Sequence, residues 1–144
     1  MDKLMTADPP SSSAGFISSG TPELDAVLGG GIMPNRLYMI EGLPGAGKTT
    51  LSLQFLQAGA RAGESVLYIT LSETEEEIRS VAHSHGWDLA GVQILDVMPD
   101  EHSLLPTEQY TVFPPDEVEL GETTTAILAQ VEKHKPSRVV FDSL

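Results

Sequence analysis

Residues 42–50 read GLPGAGKTT, and this run decides how the rest of the sequence is to be read. It matches G-x-x-x-x-G-K-[ST] in full, with Gly42, Gly47, Lys48 and Thr49 at the fixed positions. The chemistry needs these residue types at this spacing. Glycine lets a backbone turn back on itself and bring its N–H groups against a phosphate chain, and Gly45 adds freedom in the middle of the loop. A helix opening at the loop turns its positive end and its unpaired N–H donors on the same anion. Lys48 reaches the β and γ phosphates as a point charge, and the Thr49 hydroxyl can join the shell of a Mg2+ ion.

Such a loop needs a buried strand before it and a helix after it. Residues 37–41, LYMIE, form a short apolar run and read as that strand. Residues 49–58, TTLSLQFLQA, are rich in helix formers, and Gly63 is a suitable stop. Upstream, Thr21 reads as an N-cap with Pro22 at the first helical position, and Leu24, Val27 and Leu28 form one apolar face. Gly29, Gly30 and Gly31 end that short helix.

Downstream, residues 65–71, SVLYITL, are β-branched and aromatic and read as a second buried strand. Thr74 and Glu77 form a capping box for a helix with Ile78, Val81 and Ala82 inward and Gly86 at its end. Residues 92–97, VQILDV, read as a third strand. Residues 99–120 are irregular, broken by Pro106, Pro114 and Pro115, with a short edge strand expected at 110–113. A helix over 123–134 turns Ile127, Leu128 and Val131 inward, and RVVF at 138–141 is a fourth strand ending in Asp142. Strands alternating with helices predict an α/β fold, a parallel sheet flanked by helices, whose ligands bind at the carboxyl ends of the strands.

Bulk properties exclude several function classes. The chain has 144 residues and 40% hydrophobic content, enough for one domain with a core. No apolar run approaches a bilayer span, and residues 1–15, polar and rich in proline and serine, read as a disordered leader without a signal-peptide core. The absence of cysteine removes disulfides, thiolate metal sites and thiol nucleophiles, and fits the cytoplasm. Net charge is −13, from 21 acidic and 8 basic side chains, which opposes nucleic acid as a partner.

Three features fall at strand ends: the phosphate loop, Glu73 and Asp142. A carboxylate ending an apolar strand, as Asp142 does, resembles a Walker B element that holds Mg2+. Glu73, just past the second strand, is placed to take a proton from the water attacking a γ-phosphate. Glu75, Glu76 and Glu77 read as acids favoured at a helix start. His83 and His85 lie two apart on a helix and point to different faces, so they do not form a zinc pair. Trp87 reads as a packing anchor.

The blocks SGTPELDAVLGGG, GLPGAGKTT, YITLSETEEEI, HSHGWDL and VVFDSL occur in this order over residues 16–144. As a set they resemble the KaiC (circadian clock protein) family, whose ATPase domain is a RecA-like P-loop core. RadA and the DnaB-type helicases share that core but resemble the chain less. The resemblance implies ATP binding and Mg2+-dependent hydrolysis at the interfaces of a homo-hexamer. Carried over by position, Gly45, Ala46, Gly47, Lys48, Thr49 and Thr50 would hold phosphates and magnesium, Ser84 would contact ATP, and Asp142 would be the Walker B acid. The clock protein has two adjacent glutamates after its second strand. Here the first position is Ser72 and only the second survives, as Glu73.

The resemblance further implies that the chain is the N-terminal part of a RecA-like domain, truncated after the Walker B strand and poorly stable alone. The basic residues that act on a neighbour's nucleotide and the autophosphorylated Ser/Thr segment would lie past Leu144. Three functions stay open: a signalling or clock-type ATPase with Ser/Thr autokinase activity in the full-length protein, a nucleotide-sensing module with negligible turnover, and a DNA-dependent ATPase.

Overall fold

The structure, a computed structural model, describes residues 15–97 and 115–142, with the side chains of 115–120 and 122 left aside. The elements run α1 (Pro22–Val27), α2 (Lys48–Arg61), β1 (Val66–Thr70), α3 (Glu75–Ser84), β2 (Val92–Asp96), α4 (Pro115–His134) and β3 (Arg138–Asp142). The three strands form one parallel sheet in the order β2-β1-β3, with Thr70 opposite both Asp96 and Asp142. Parallel neighbours need crossovers, and α3 and α4 supply them. This is the α/β architecture that the alternation of strands and helices predicts. Among the described residues no helix is long and apolar enough to cross a membrane.

β1 is central in the sheet, paired along both edges, and every residue from Val66 to Thr70 is buried. That is why VLYIT reads as a continuous apolar run instead of an alternation. Leu53 and Leu56 of α2 pack on Val66, Tyr68 and Val92, with Ile78 and Ala82 of α3, to make the core. Gly59 lets α2 approach β3 closely: a Cβ there would stand 2.6 Å from Arg138 Nε and 2.9 Å from Val66 Cγ1. Trp87 packs against the core as expected, and the exposed His85 ring stacks on it.

Arg138 is the polar counterpart of this core. Its guanidinium is buried, makes a bidentate pair with Glu64 (2.7 and 2.9 Å), and lies 4.7 Å from the centre of the Phe55 ring. Nη1 donates to the carbonyls of Ser18 and Phe55 at 2.8 and 2.9 Å. One side chain thus ties the N-terminal segment, α2 and β3 together. The paired guanidinium holds the Glu64 carboxyl below its ordinary range, against the upward push of partial burial.

Several expectations are corrected. Residues 37–41 form no strand: Leu37 is 99% exposed and Met39 79%. An apolar run becomes a strand only with a ladder partner, and none pairs with it among the described residues. Instead the Tyr38 hydroxyl accepts from the Met33 N–H (2.9 Å) and donates to its carbonyl (3.2 Å), folding the segment back.

Thr21 holds the N-cap position of α1 without capping it, its hydroxyl bonding Gln54 Oε1 at 3.2 Å. Nor does α1 bury an apolar stripe, since Val27 and Leu28 are exposed. It is fixed by Asp25, which accepts from Ser18 Oγ (2.6 Å) and the Ser19 N–H (2.7 Å). Burial pushes the Asp25 carboxyl up, but these bonds and the Arg138 charge bring it net below its ordinary value. Pro115 begins α4 instead of breaking it, as proline can at a first helical position, and Leu128 faces solvent. The edge strand expected at 110–113 and the leader, apart from Gly15, lie outside the described residues.

Candidate functional site

The site is assembled where the phosphate loop meets the carboxyl ends of β1 and β3. Gly47 stands at the N-cap of α2 with φ 89°, a left-handed conformation that a side chain would strain. Gly45, at φ 81°, makes a similar bend within the loop. α2 has no side-chain cap and no acidic residue in its first turn, so its positive end is open to an anion. Lys48 Nζ donates to the carbonyls of Gly42 (2.8 Å) and Leu43 (3.1 Å), folding the ammonium over the loop. Gly45, Ala46, Gly47, Lys48, Thr49 and Thr50 thus form one continuous run into the helix start.

Asp142 is brought to this run by the sheet. Thr49 Oγ1 donates to Asp142 Oδ2 at 2.8 Å, across 93 positions of sequence. A second hydroxyl, that of Tyr68 on β1, donates to the same oxygen. Tyr68 is fully buried and keeps its proton: burial raises the phenol's pKa far above its ordinary value, followed by the hydrogen bond to Asp142 and the Asp142 charge. Glu73 adds to that rise by its own charge, so its carboxylate belongs to the same electrostatic neighbourhood.

Glu73 is positioned by its backbone. Its N–H donates to Thr70 Oγ1 (3.0 Å), and that hydroxyl donates to the Glu73 carbonyl (2.7 Å). Thr70 is itself buried at the end of β1, so the turn is stapled to the core. The capping box that follows forms as expected, with Glu77 N–H to Thr74 Oγ1 at 3.3 Å and Thr74 N–H to Glu77 Oε2 at 2.8 Å. That fixes where α3 begins and leaves Glu73 outside it.

Ser84 is not brought to this cluster. α3 leaves the carboxyl end of β1 and runs back along the sheet, so Ser84, its last residue, lies toward the amino ends of the strands. Its hydroxyl donates to the Val81 carbonyl at 2.7 Å.

Thr49 and Asp142 offer a hydroxyl and a carboxylate oxygen within hydrogen-bond distance of each other. Hard divalent cations such as Mg2+ prefer this donor set, completing their shell with water and phosphate oxygens. Among the described residues no group of three or more His, Asp or Glu side chains converges on a metal position.

Tyr68, Thr70 and Arg138 are structural contributors that the motif-based reading passes over. A signal for Tyr68 does exist. Alternation along β1 puts Val66, Tyr68 and Thr70 on one face, and the parallel pairing sets Tyr68 opposite Val140, two residues before Asp142.

Comparison with known proteins identifies the family. The family described as ATPase: KaiC matches residues 17–144. The circadian clock oscillator protein KaiC of a Picosynechococcus species is 30% identical over 133 residues, covering 92% of this chain and 24% of that protein. A UPF0273 protein of Thermotoga maritima is 29% identical over 135 residues, covering 89% of this chain and 55% of its own length. Another, from Methanopyrus kandleri, is 39% identical over 72 residues, covering 50% of this chain and 29% of that protein. The chain thus spans between about a quarter and about half of the length of these relatives.

Proposed function

The chain belongs to the KaiC family of ATPase domains, and from that premise we propose that it binds ATP with Mg2+ at residues 45–50 and, within the whole protein, hydrolyses it. The observation that carries this reading is the 2.8 Å bond between Thr49 and Asp142, which places a loop hydroxyl against a strand-end carboxylate. Gly45, Ala46, Gly47 and Thr50 would supply backbone donors to the phosphates, and Lys48 would exchange its two carbonyl acceptors for phosphate oxygens. Thr49 and Asp142 would hold Mg2+. When bound, the ion would neutralise charge on the phosphate oxygens as it develops. Glu73 would accept the proton of the attacking water.

Assembly of the full protein as a homo-hexamer, a cytoplasmic setting, autokinase activity and clock-type or signalling output extend this proposal from the family resemblance. A second reading, a nucleotide sensor with negligible turnover, is favoured by one residue: Ser72 stands where the family resemblance places the first of two glutamates.

Equilibrium dialysis with ATP and Mg2+ tests the binding claim. The wild-type protein should bind, and Lys48→Ala should lose affinity by roughly 100-fold, the effect of removing one or two charge-assisted hydrogen bonds worth about 1.5–3 kcal/mol each. A folded wild-type protein that retained no nucleotide would overturn the proposal. Ser84→Ala, far from the cluster, is expected to change the affinity by no more than about threefold, below 1 kcal/mol. A loss comparable to that of Lys48→Ala would place Ser84 in the site after all.

A further inference from the structure

We propose that Tyr68 is the positioning residue for Asp142: its buried hydroxyl fixes the carboxylate in the orientation that Mg2+-dependent nucleotide binding requires. The inference rests on the nucleotide reading above and assigns a role to a residue outside the motifs.

Two hydroxyls converge on Asp142 Oδ2, from Thr49 on α2 and from Tyr68 on β1. They differ in what holds them. Thr49 lies in the first turn of α2, directly after the exposed loop. Tyr68 lies in the middle of the central strand, is 0% exposed, and packs in the core with Leu53, Leu56 and Ile78. Its hydroxyl position is therefore set by the core.

A carboxylate at a strand end, partly open to solvent as Asp142 is, keeps torsional freedom about the bond when a single donor holds it. A second donor from a different element removes that freedom. It also occupies Oδ2 and leaves Oδ1 to take other partners. Outer partners of this kind orient a metal-binding carboxylate, and their loss typically weakens metal affinity by about 10–100-fold. Phenylalanine would keep the ring and its packing and remove only the donor.

The test separates metal dependence from folding. A fluorescent ADP analogue is bound to wild-type protein and to Tyr68→Phe, first in EDTA and then along a Mg2+ titration. The half-saturating Mg2+ concentration should rise roughly tenfold in Tyr68→Phe, while affinity in EDTA stays within about twofold of wild type. Introduced into an Asp142→Asn background, Tyr68→Phe should add no further shift, because the acceptor it orients has changed.

Equal Mg2+ half-points in the two proteins would overturn the role. So would a loss of affinity equal with and without Mg2+, which would mark Tyr68 as a packing residue alone. Wild-type protein that bound the analogue equally in EDTA and in Mg2+ would remove the metal and this inference together. Wild-type protein that bound no analogue in either condition would overturn the nucleotide reading itself, and the inference with it.

Discussion

Replacing Glu73 with glutamine should lower steady-state phosphate release by roughly 10²–10⁴-fold, the usual contribution of a positioned general base. The full-length protein is the material for this measurement, because the residues that complete a catalytic site need not all lie within 144 positions. Glutamine keeps the size and hydrogen-bonding reach of glutamate and loses its capacity to accept a proton. The turn that carries the side chain is held by Thr70 through the backbone of residue 73, so the substitution leaves that staple intact. Nucleotide affinity should therefore change little, and the effect should fall on kcat instead of KM.

Two other outcomes are informative. Release that is measurable and unaffected by Glu73→Gln would remove Glu73 from the proton-accepting role. Wild-type protein that binds ATP and releases no phosphate would favour the sensor reading, with Ser72 as its sequence correlate. Restoring a carboxylate by Ser72→Glu should then raise release, because a second base would stand beside Glu73 at the end of β1.

The site residues divide by how they are encoded. The phosphate loop is legible because its function is local: the backbone of 45–50, the glycine dihedrals and the helix start need no distant partner to be recognised. Asp142 is legible because an acid after RVVF is a pattern with a chemical reason. Tyr68 is illegible without the register of β1 against β3, which no local pattern supplies. Arg138 is harder still. In sequence it is a surface-type residue opening a strand, and its burial follows only from Glu64, Ser18 and Phe55 meeting at one point.

The α/β class follows from periodicity, and so do β1, β2 and α3, because their apolar patterns match what they bury; β3 forms where RVVF predicts it, yet Val139 and Phe141 stay exposed and Arg138 is buried. Residues 37–41 have the composition of a strand but lack a ladder partner among the described residues, and composition cannot provide one. α1 shows the converse. Its helix forms where the capping sequence puts it, yet Asp25 holds it in place, with no share taken by the apolar stripe.

The buried Arg138 is where stability is most exposed to a single change. Arg138→Ala should destabilise the chain by about 3 kcal/mol, the lower end for breaking a buried ion pair because Glu64 remains partly exposed. It would leave the carbonyls of Ser18 and Phe55 without their guanidinium donor and open a gap beside Gly59. For a chain of this size the thermal midpoint should fall by roughly 6–12 °C. Arg138→Lys should recover only part of the loss, because an ammonium cannot make the two-pronged contact with Glu64 while also reaching two carbonyls.

The same pair predicts a pH dependence. Glu64 is held below its ordinary value near 4.5, so its contribution is complete above that pH and is lost as the pH falls through the lower folded value. Other carboxylates titrate in this range, so the measurement is a difference: urea midpoints of wild type and Glu64→Gln from pH 7 to pH 3. The two curves should be separated at neutral pH and converge on acidification. Curves that stayed parallel throughout would show that the charge of Glu64 contributes nothing to stability in its pair with Arg138.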